Sequence, residues 1–219
     1  MDVKQAVLQR RSIRAYLPRP VPQDVLKDIL ETSLWSPSAT NAQAWFLAVV
    51  SGKAKAELCQ ALVEAAKFDL RGHPDIPNPM LPPECLDRRR VLGYKVYESK
   101  GIAREDKPKR IWWAEENLRF FGAPTAIIVH TPASLSPYIL ADMVIISMSI
   151  MLLATEKGLG TCPMISSGAY PEVLRERLGI PDDHLVPLTL ALGYPDMTDP
   201  VNNFPRDREP LDEVVRFIG

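Results

Sequence analysis

Residues 138–157 constrain the fold more than any other part of the chain. The run is apolar on nearly every face, and about twenty residues suffice to cross a bilayer. Asp142, Ser147, Ser149 and Thr155 interrupt it, and neither Arg nor Lys flanks its start, unlike a typical membrane span. A helix that is apolar all round in a soluble chain lies at the centre of a core or in a subunit interface. The run therefore predicts a buried helix, no membrane partner and an oligomer, because one small domain seldom encloses such a helix alone.

Around this helix the periodicities predict a mixed α and β chain. Val3, Ala6, Val7 and Arg10 recur at helical spacing and lead into an arginine cluster. Pro22 suits the first turn of a helix whose apolar face is Val25, Leu26, Ile29, Leu30 and Leu34, and Pro37 must end it. Residues 45–50, 126–129 and 185–192 read as three buried strands. Leu58, Ala61, Leu62 and Ala65 give another helix, and a further one runs from Pro171 to its stop at Gly179 and Pro181. Residues 161–169 read as a polar loop, and the tail as irregular until Leu211.

The length of 219 residues fits one domain, 1–219, with a 70–118 insertion and a 195–219 C-terminal arm. Five prolines between His73 and Pro83 exclude a helix or central strand there. Residues 87–110 then carry Arg88, Arg89, Arg90, Lys95, Lys100, Arg104, Lys107, Lys109 and Arg110 against Asp87, Glu98, Glu105 and Asp106. The stretch reads either as a solvated helical excursion or as a lid offering positive charge to an anion. The formal net charge of -1 gives no bulk attraction to nucleic acid or anionic lipid. Arg88, Arg89 and Arg90 also lack the interleaved aromatics of a nucleic-acid platform.

Cys59, Cys85 and Cys162 are scattered and odd in number, which fits a reducing compartment rather than a disulfide framework or zinc site. His73, His130 and His184 share no ligand spacing, so no metal is expected. The first residues hold no apolar signal segment, and a cytoplasmic location is expected. Gly158-x-Gly160 follows a helix rather than a strand and lacks the third glycine of a dinucleotide fingerprint. Nucleophile, metal and dinucleotide-fold readings are all weak, which leaves a bound redox cofactor to carry the chemistry.

Two segments supply the chemistry for such a cofactor. Arg10-Arg11-Ser12-Ile13-Arg14 places three guanidinium groups and a hydroxyl within five residues, the side chains that grip a phosphate through paired, charge-assisted hydrogen bonds. Ser36-Pro37-Ser38-Ala39-Thr40-Asn41-Ala42-Gln43-Ala44-Trp45 offers short donors and acceptors suited to the edge of a polar heterocycle.

These segments resemble the FMN-dependent nitroreductase family, whose opening R-R-S-x-R and S-P-S-x-x-N-x-Q-x-W loop they match. Leu159-Gly160-Thr161, Leu192-Gly193-Tyr194-Pro195 and the tail arginines Arg206 and Arg208 extend the resemblance over nearly the whole chain. Residues 101–107 and 117–124 are similar to the nitrobenzoate-reductase branch. The resemblance implies an α+β fold, a central, mostly antiparallel sheet surrounded by helices, in an intertwined homodimer with FMN at the interface. Arg10, Arg11, Ser12, Arg14, Arg206 and Arg208 would then hold the phosphate and ribityl chain. Pro37, Ser38, Ala39 and Asn41 would come from the other subunit to the flavin edge. Gln43 and Trp45 would either touch the flavin or serve only strand entry and packing. Residues Pro163, Met164, Ile165 and Ser166 would lie against the ring, with the Ile165 or Ser166 backbone N–H aimed at N5. Ile146, Met148, Met151 and Leu152 would form the dimer core.

The implied activity is NAD(P)H-dependent, two-electron reduction of nitroaromatic compounds in ping-pong order, with NADH or NADPH as co-substrate. The basic 87–110 segment, Arg104 included, points to an aromatic acceptor carrying a carboxylate. Alternatives are the same fold acting on quinones, enones or halogenated aromatics, or a flavin-binding protein of low turnover.

Overall fold

A strand with consecutive apolar side chains needs cover on both faces, and two such strands organise this molecule. The computed structural model describes residues 1–77, 79–132 and 136–219. Its strands are β1 (Phe46–Ser51), β2 (Thr125–Pro132), β3 (Gly160–Met164) and β4 (His184–Gly193). They pair antiparallel in the order β1-β2-β4-β3. On one face Val50, Ala126, Ile128 and Ala191 pack against α3 (Gly52–Phe68), α5 (Lys107–Leu118) and α7 (Pro171–Leu178). On the other, Ile127, Val129, Leu190 and Leu192 pack against α2 (Gln23–Ser33) and α6 (Pro137–Glu156). The fold is α+β, as expected. The remaining helices are α1 (Val3–Gln9), α4 (Pro83–Ser99) and α8 (Leu211–Val214).

Local chemistry sets the ends of the helices that carry the site. Asp2 caps α1, accepting from the Gln5 N–H at 2.7 Å, while the Gln5 side chain accepts from the Asp2 N–H at 3.3 Å. The helix stops at the Arg10 cap, directly before the arginine cluster. α2 is over at Ser33, three residues short of Ser36. Pro83, one of the five prolines, does not exclude a helix but opens α4, where its missing N–H costs nothing.

Three expectations need correction. Residues 161–169 do not form a loop throughout, because Gly160–Met164 is the strand β3. Its Gly-Thr-Cys-Pro-Met sequence has no apolar run, and Pro163 is tolerated because β3 lies at the end of the strand order. The outer side of β3 is covered by the N-terminal segment: Ile13 N–H donates to the Thr161 carbonyl at 2.9 Å, and Ser12 bridges Thr161. A Cβ on Gly160 would run into the Ile13 side chain, so this close approach requires glycine.

The second correction concerns α6. Ile146 and Met151 are buried within the chain itself, on the sheet, and cannot form a dimer core. Met148 and Leu152 are half-buried, and Tyr138, Val144 and Ile145 stand on the uncovered face. The helix is long and apolar enough to cross a membrane by length and composition, yet Asp142 is buried in the protein and binds the protein backbone. Third, the proline-rich stretch 73–83 does not exclude a helix at its end, since α4 starts at Pro83, and α5 follows it within the insertion.

Where β2 and β4 end, the pairing register slips between Val129 and Thr131. His130 and His184 face each other there, with Nδ1 atoms 2.8 Å apart, and Phe46 stacks on the first ring. One ring donates and the other accepts, so protonating both would break the contact. Burial, and then the facing His184, hold His130 down at about 4 from 6.5. In the unfolded chain this group binds its proton near 6.5, so stability present above that pH is lost as pH falls from 6.5 towards 4. Urea denaturation should show wild type losing on the order of 1–2 kcal/mol more across that window than His130→Phe, allowing for partial solvent screening.

Candidate functional site

The arginine cluster and the tail meet although nearly two hundred residues separate them. Asn202, fully buried, is the clasp. Its Oδ1 accepts from the Arg14 N–H at 2.8 Å, and its Nδ2 donates to the carbonyls of Ala15 and Asp196, each at 2.8 Å. Arg11 Nη2 donates to the Phe204 carbonyl at 2.6 Å and lies over the Phe204 ring. Arg206 donates to the carbonyls of Leu8, at 2.6 Å, and Arg10. Nothing in the sequence distinguishes Asn202 from the adjacent Asn203.

The result is a cavity of about 640 Å³ walled by Arg10, Arg11, Ser12 and Arg14, by the 204–209 tail and by α4. The carboxylates on its wall are already engaged. Asp207 pairs with Lys95, Glu209 with Arg88 at 3.1 Å, and Asp87 with Arg90 at 2.9 Å. Among the described residues no carboxylate meets Arg10, Arg11, Arg14, Arg206 or Arg208, and the Arg10 guanidinium has no hydrogen-bond acceptor. Burial, and then the Arg206 and Arg208 charges, push the Arg10 guanidinium below its usual value. Arg11 is lowered in the same way by burial, Arg206 and Arg14, and Arg206 by burial and Arg208. Four half-buried guanidinium groups and the exposed Arg208 thus concentrate positive charge on one cavity, an arrangement suited to an anion.

Residues 36–45 lie elsewhere, at the N-terminal half of α6. The Asp142 carboxylate accepts from the Ala39 N–H at 3.0 and 3.2 Å, and Ser36 Oγ donates to Ser149 Oγ at 2.7 Å. Ser38 Oγ accepts from the Gln43 N–H at 3.0 Å. Thr40, Asn41 and Gln43 hold positive φ angles of 52°, 58° and 49°, a conformation that L-residues keep only where the surroundings enforce it. Trp45 is buried and packs beside α2 and α6, so packing is its role within this chain. Pro37, Ala39, Asn41 and Gln43 are exposed, Ser38 is half-buried, and none of the five lines the arginine cavity.

The segment after β3 opens on a second cavity of about 740 Å³. Ile165 and Ser166 stand on its wall, whereas Pro163 and Met164 belong to β3, with Met164 buried and Pro163 exposed. Among the described residues nothing accepts from the backbone N–H of Ile165 or Ser166. Val63, Leu70, Leu81, Ile111 and Leu118 give the cavity a largely apolar lining, and Lys67, Arg71, Arg89 and Glu115 add its charged groups. Arg89 lines both cavities, which places them side by side across α4. Arg104 lines neither. It belongs to a separate cleft beside Tyr94 and Tyr97 on another side of α4, so of the basic run it is Arg89, not Arg104, that faces Ile165.

An antiparallel sheet covered on both faces, with an arginine-lined cavity beside a largely apolar one, defines an α+β protein with room for an anionic ligand. The sequence matches the nitroreductase family over residues 7–194, and the chain belongs to that family. The crystal structure of the FMN and NADPH-dependent nitroreductase NfnB from Sphigopyxis sp. strain HMH superposes with a TM-score of 0.96, at 35% identity, covering all of both chains. The FMN-dependent nitroreductase NfnB from Mycobacterium smegmatis, solved in complex with NADPH, superposes at 0.93 with 31% identity, again over all of both chains. The 4-nitrobenzoate reductase of Pseudomonas putida is 29% identical over 100% of this chain and 96% of its own length.

Asp142 gives the first test of this geometry. Asp142→Ala should lower stability by about 1–2 kcal/mol in chemical denaturation, and limited proteolysis should then cut within residues 37–43, which stay intact in the parent protein.

Proposed function

We propose that this protein is an FMN-dependent oxidoreductase that uses NADH or NADPH to reduce nitroaromatic compounds by two electrons in ping-pong order. The observation that carries this reading is the set of five arginines around one cavity with no carboxylate partner among the described residues. A phosphate is the group that relieves their mutual repulsion. Arg10, Ser12, Arg14 and Arg208 would hold it, while Arg11 and Arg206 tie the tail across the cavity and add their charge. The ring would extend towards Ile165 and Ser166, whose free backbone N–H groups would face N5.

When bound by these arginines, FMN would supply two-electron hydride chemistry between NAD(P)H and an acceptor. The chain itself supplies position and electrostatics. An N–H directed at N5 stabilises the negative charge of the reduced ring without an ionisable side chain, and the apolar lining of the second cavity excludes water. Donor and acceptor would use that cavity in turn. A homodimer would complete the site, with Pro37, Ser38, Ala39, Asn41 and Gln43 of one subunit covering the ring held by the other. The uncovered Tyr138, Val144 and Ile145 of α6 and the 90% exposed Trp35 support such a partner.

An anaerobic absorbance spectrum tests the reading. The protein should be yellow, bleach on addition of NADH or NADPH, and regain its colour with a nitroaromatic. A protein that stays colourless after incubation with FMN would overturn it. Arg10→Ala should raise the Kd for FMN about ten- to a hundredfold in a fluorescence titration, the equivalent of one charge-assisted hydrogen bond.

A further inference from the structure

The second cavity is lined mainly by apolar side chains together with Lys67, Arg71, Arg89 and Glu115, and its two arginines have no ion-pair partner among the described residues. Glu64 is taken by Lys67 at 2.6 Å, Glu115 by Arg119 at 3.2 Å, and Asp75 by Arg175 at 2.7 Å. Asp69, the nearest carboxylate in sequence to Arg71, accepts from the Arg71 backbone N–H at 2.9 Å and lies 3.3 Å from His73 Nε2. Among the described residues no carboxylate is left for the Arg71 or Arg89 guanidinium.

Arg71 is also held in place relative to the segment that carries Ile165 and Ser166. Gly72 has a φ of +60°, and a Cβ there would collide with the Ala169 carbonyl. Only glycine combines that conformation with that approach. His73 N–H donates to the same Ala169 carbonyl at 2.8 Å, and Tyr170 Oη donates to the Asp69 carbonyl at 3.0 Å. Further along, Asp75 accepts from Arg175 Nη2 at 2.7 Å and from the Val186 N–H at 2.8 Å. The 69–75 segment is thus tied to the 165–170 turn, to α7 and to β4.

We infer that Arg71 determines acceptor specificity, and that the acceptor is an aromatic acid whose carboxylate it grips while the ring lies on the apolar wall beside Ile165. The inference rests on reading this cavity as the place of reduction. A guanidinium beside an apolar wall matches a carboxylate through two parallel hydrogen bonds. A neutral nitroarene would fill the same apolar space without using that pair. Arg89 adds positive charge, but it faces both cavities and so reports on both ligands. Arg71 faces the acceptor cavity alone of the two.

Calorimetric titration of the FMN-loaded, oxidised protein with benzoate tests Arg71 without turnover. Arg71→Ala should weaken benzoate binding about ten- to a hundredfold, with Arg71→Lys intermediate. Added salt should weaken binding to the parent protein more than to Arg71→Ala. In turnover, the ratio of kcat/KM for 4-nitrobenzoate over nitrobenzene should fall by a similar factor in Arg71→Ala. No benzoate binding to the parent protein, or an unchanged affinity and ratio in Arg71→Ala, overturns the inference. So does a variant whose only defect is slower bleaching by NADPH, since Arg71 would then serve the hydride donor. A parent protein that binds benzoate through Arg71 but never bleaches with NADH or NADPH overturns the proposed function instead.

Discussion

Burial of β2 and β4 on both faces is the constraint from which the rest of the structure follows. Ile127, Ile128, Val129, Leu190 and Leu192 are wholly inaccessible, and each contributes on the order of 1.5–3 kcal/mol by leaving water. Helices must then cover both sides, which sets α2 and α6 on one face and α3, α5 and α7 on the other. Between these layers the ends and the two edge strands, β1 and β3, are left, and the arginine cavity is built at the β3 edge. The arginine segment covers that edge, and the Ile165–Ser166 turn leaves from it.

The site is held by backbone hydrogen bonds more than by ion pairs. Asn202 satisfies an N–H and two carbonyls deep in the fold, and such bonds are costly to break because the orphaned groups stay buried. Among the described residues this arrangement leaves the guanidinium groups of Arg10 and Arg14 free of carboxylates, so their charge remains available to a ligand. The ion pairs of the insertion do complementary work, since Lys95 and Arg88 neutralise Asp207 and Glu209, which would otherwise compete for the same arginines.

Much of this was legible in the sequence, and the failures have physical causes. Strands β1, β2 and β4 announce themselves because apolar side chains on consecutive positions have no other use. β3 does not, because an edge strand containing Pro163 draws its partners from one side and from the backbone of residues 12–13, which no residue type signals. The burial of Ile146 and Met151 could not be told from that of an interface residue, because helical periodicity says that a face is covered and not by what. Arg104 and Arg89 belong to one basic run, yet Arg89 sits on α4 and Arg104 in the turn after it, and the two line different cavities.

The sequence by itself determined the chemistry of this protein: arginines for an anion, a glycine wherever two backbones touch, and apolar runs that must be covered. Those properties belong to residue types and short spacings, which hold wherever the chain goes. Only the tertiary structure decided which charges stand together. Asn202 brings the tail to Arg14, Gly72 presses the Arg71 turn against Ala169, and α4 shares Arg89 between two cavities. Such meetings join positions up to nearly two hundred residues apart, and they depend on the packing of the whole sheet rather than on any local preference.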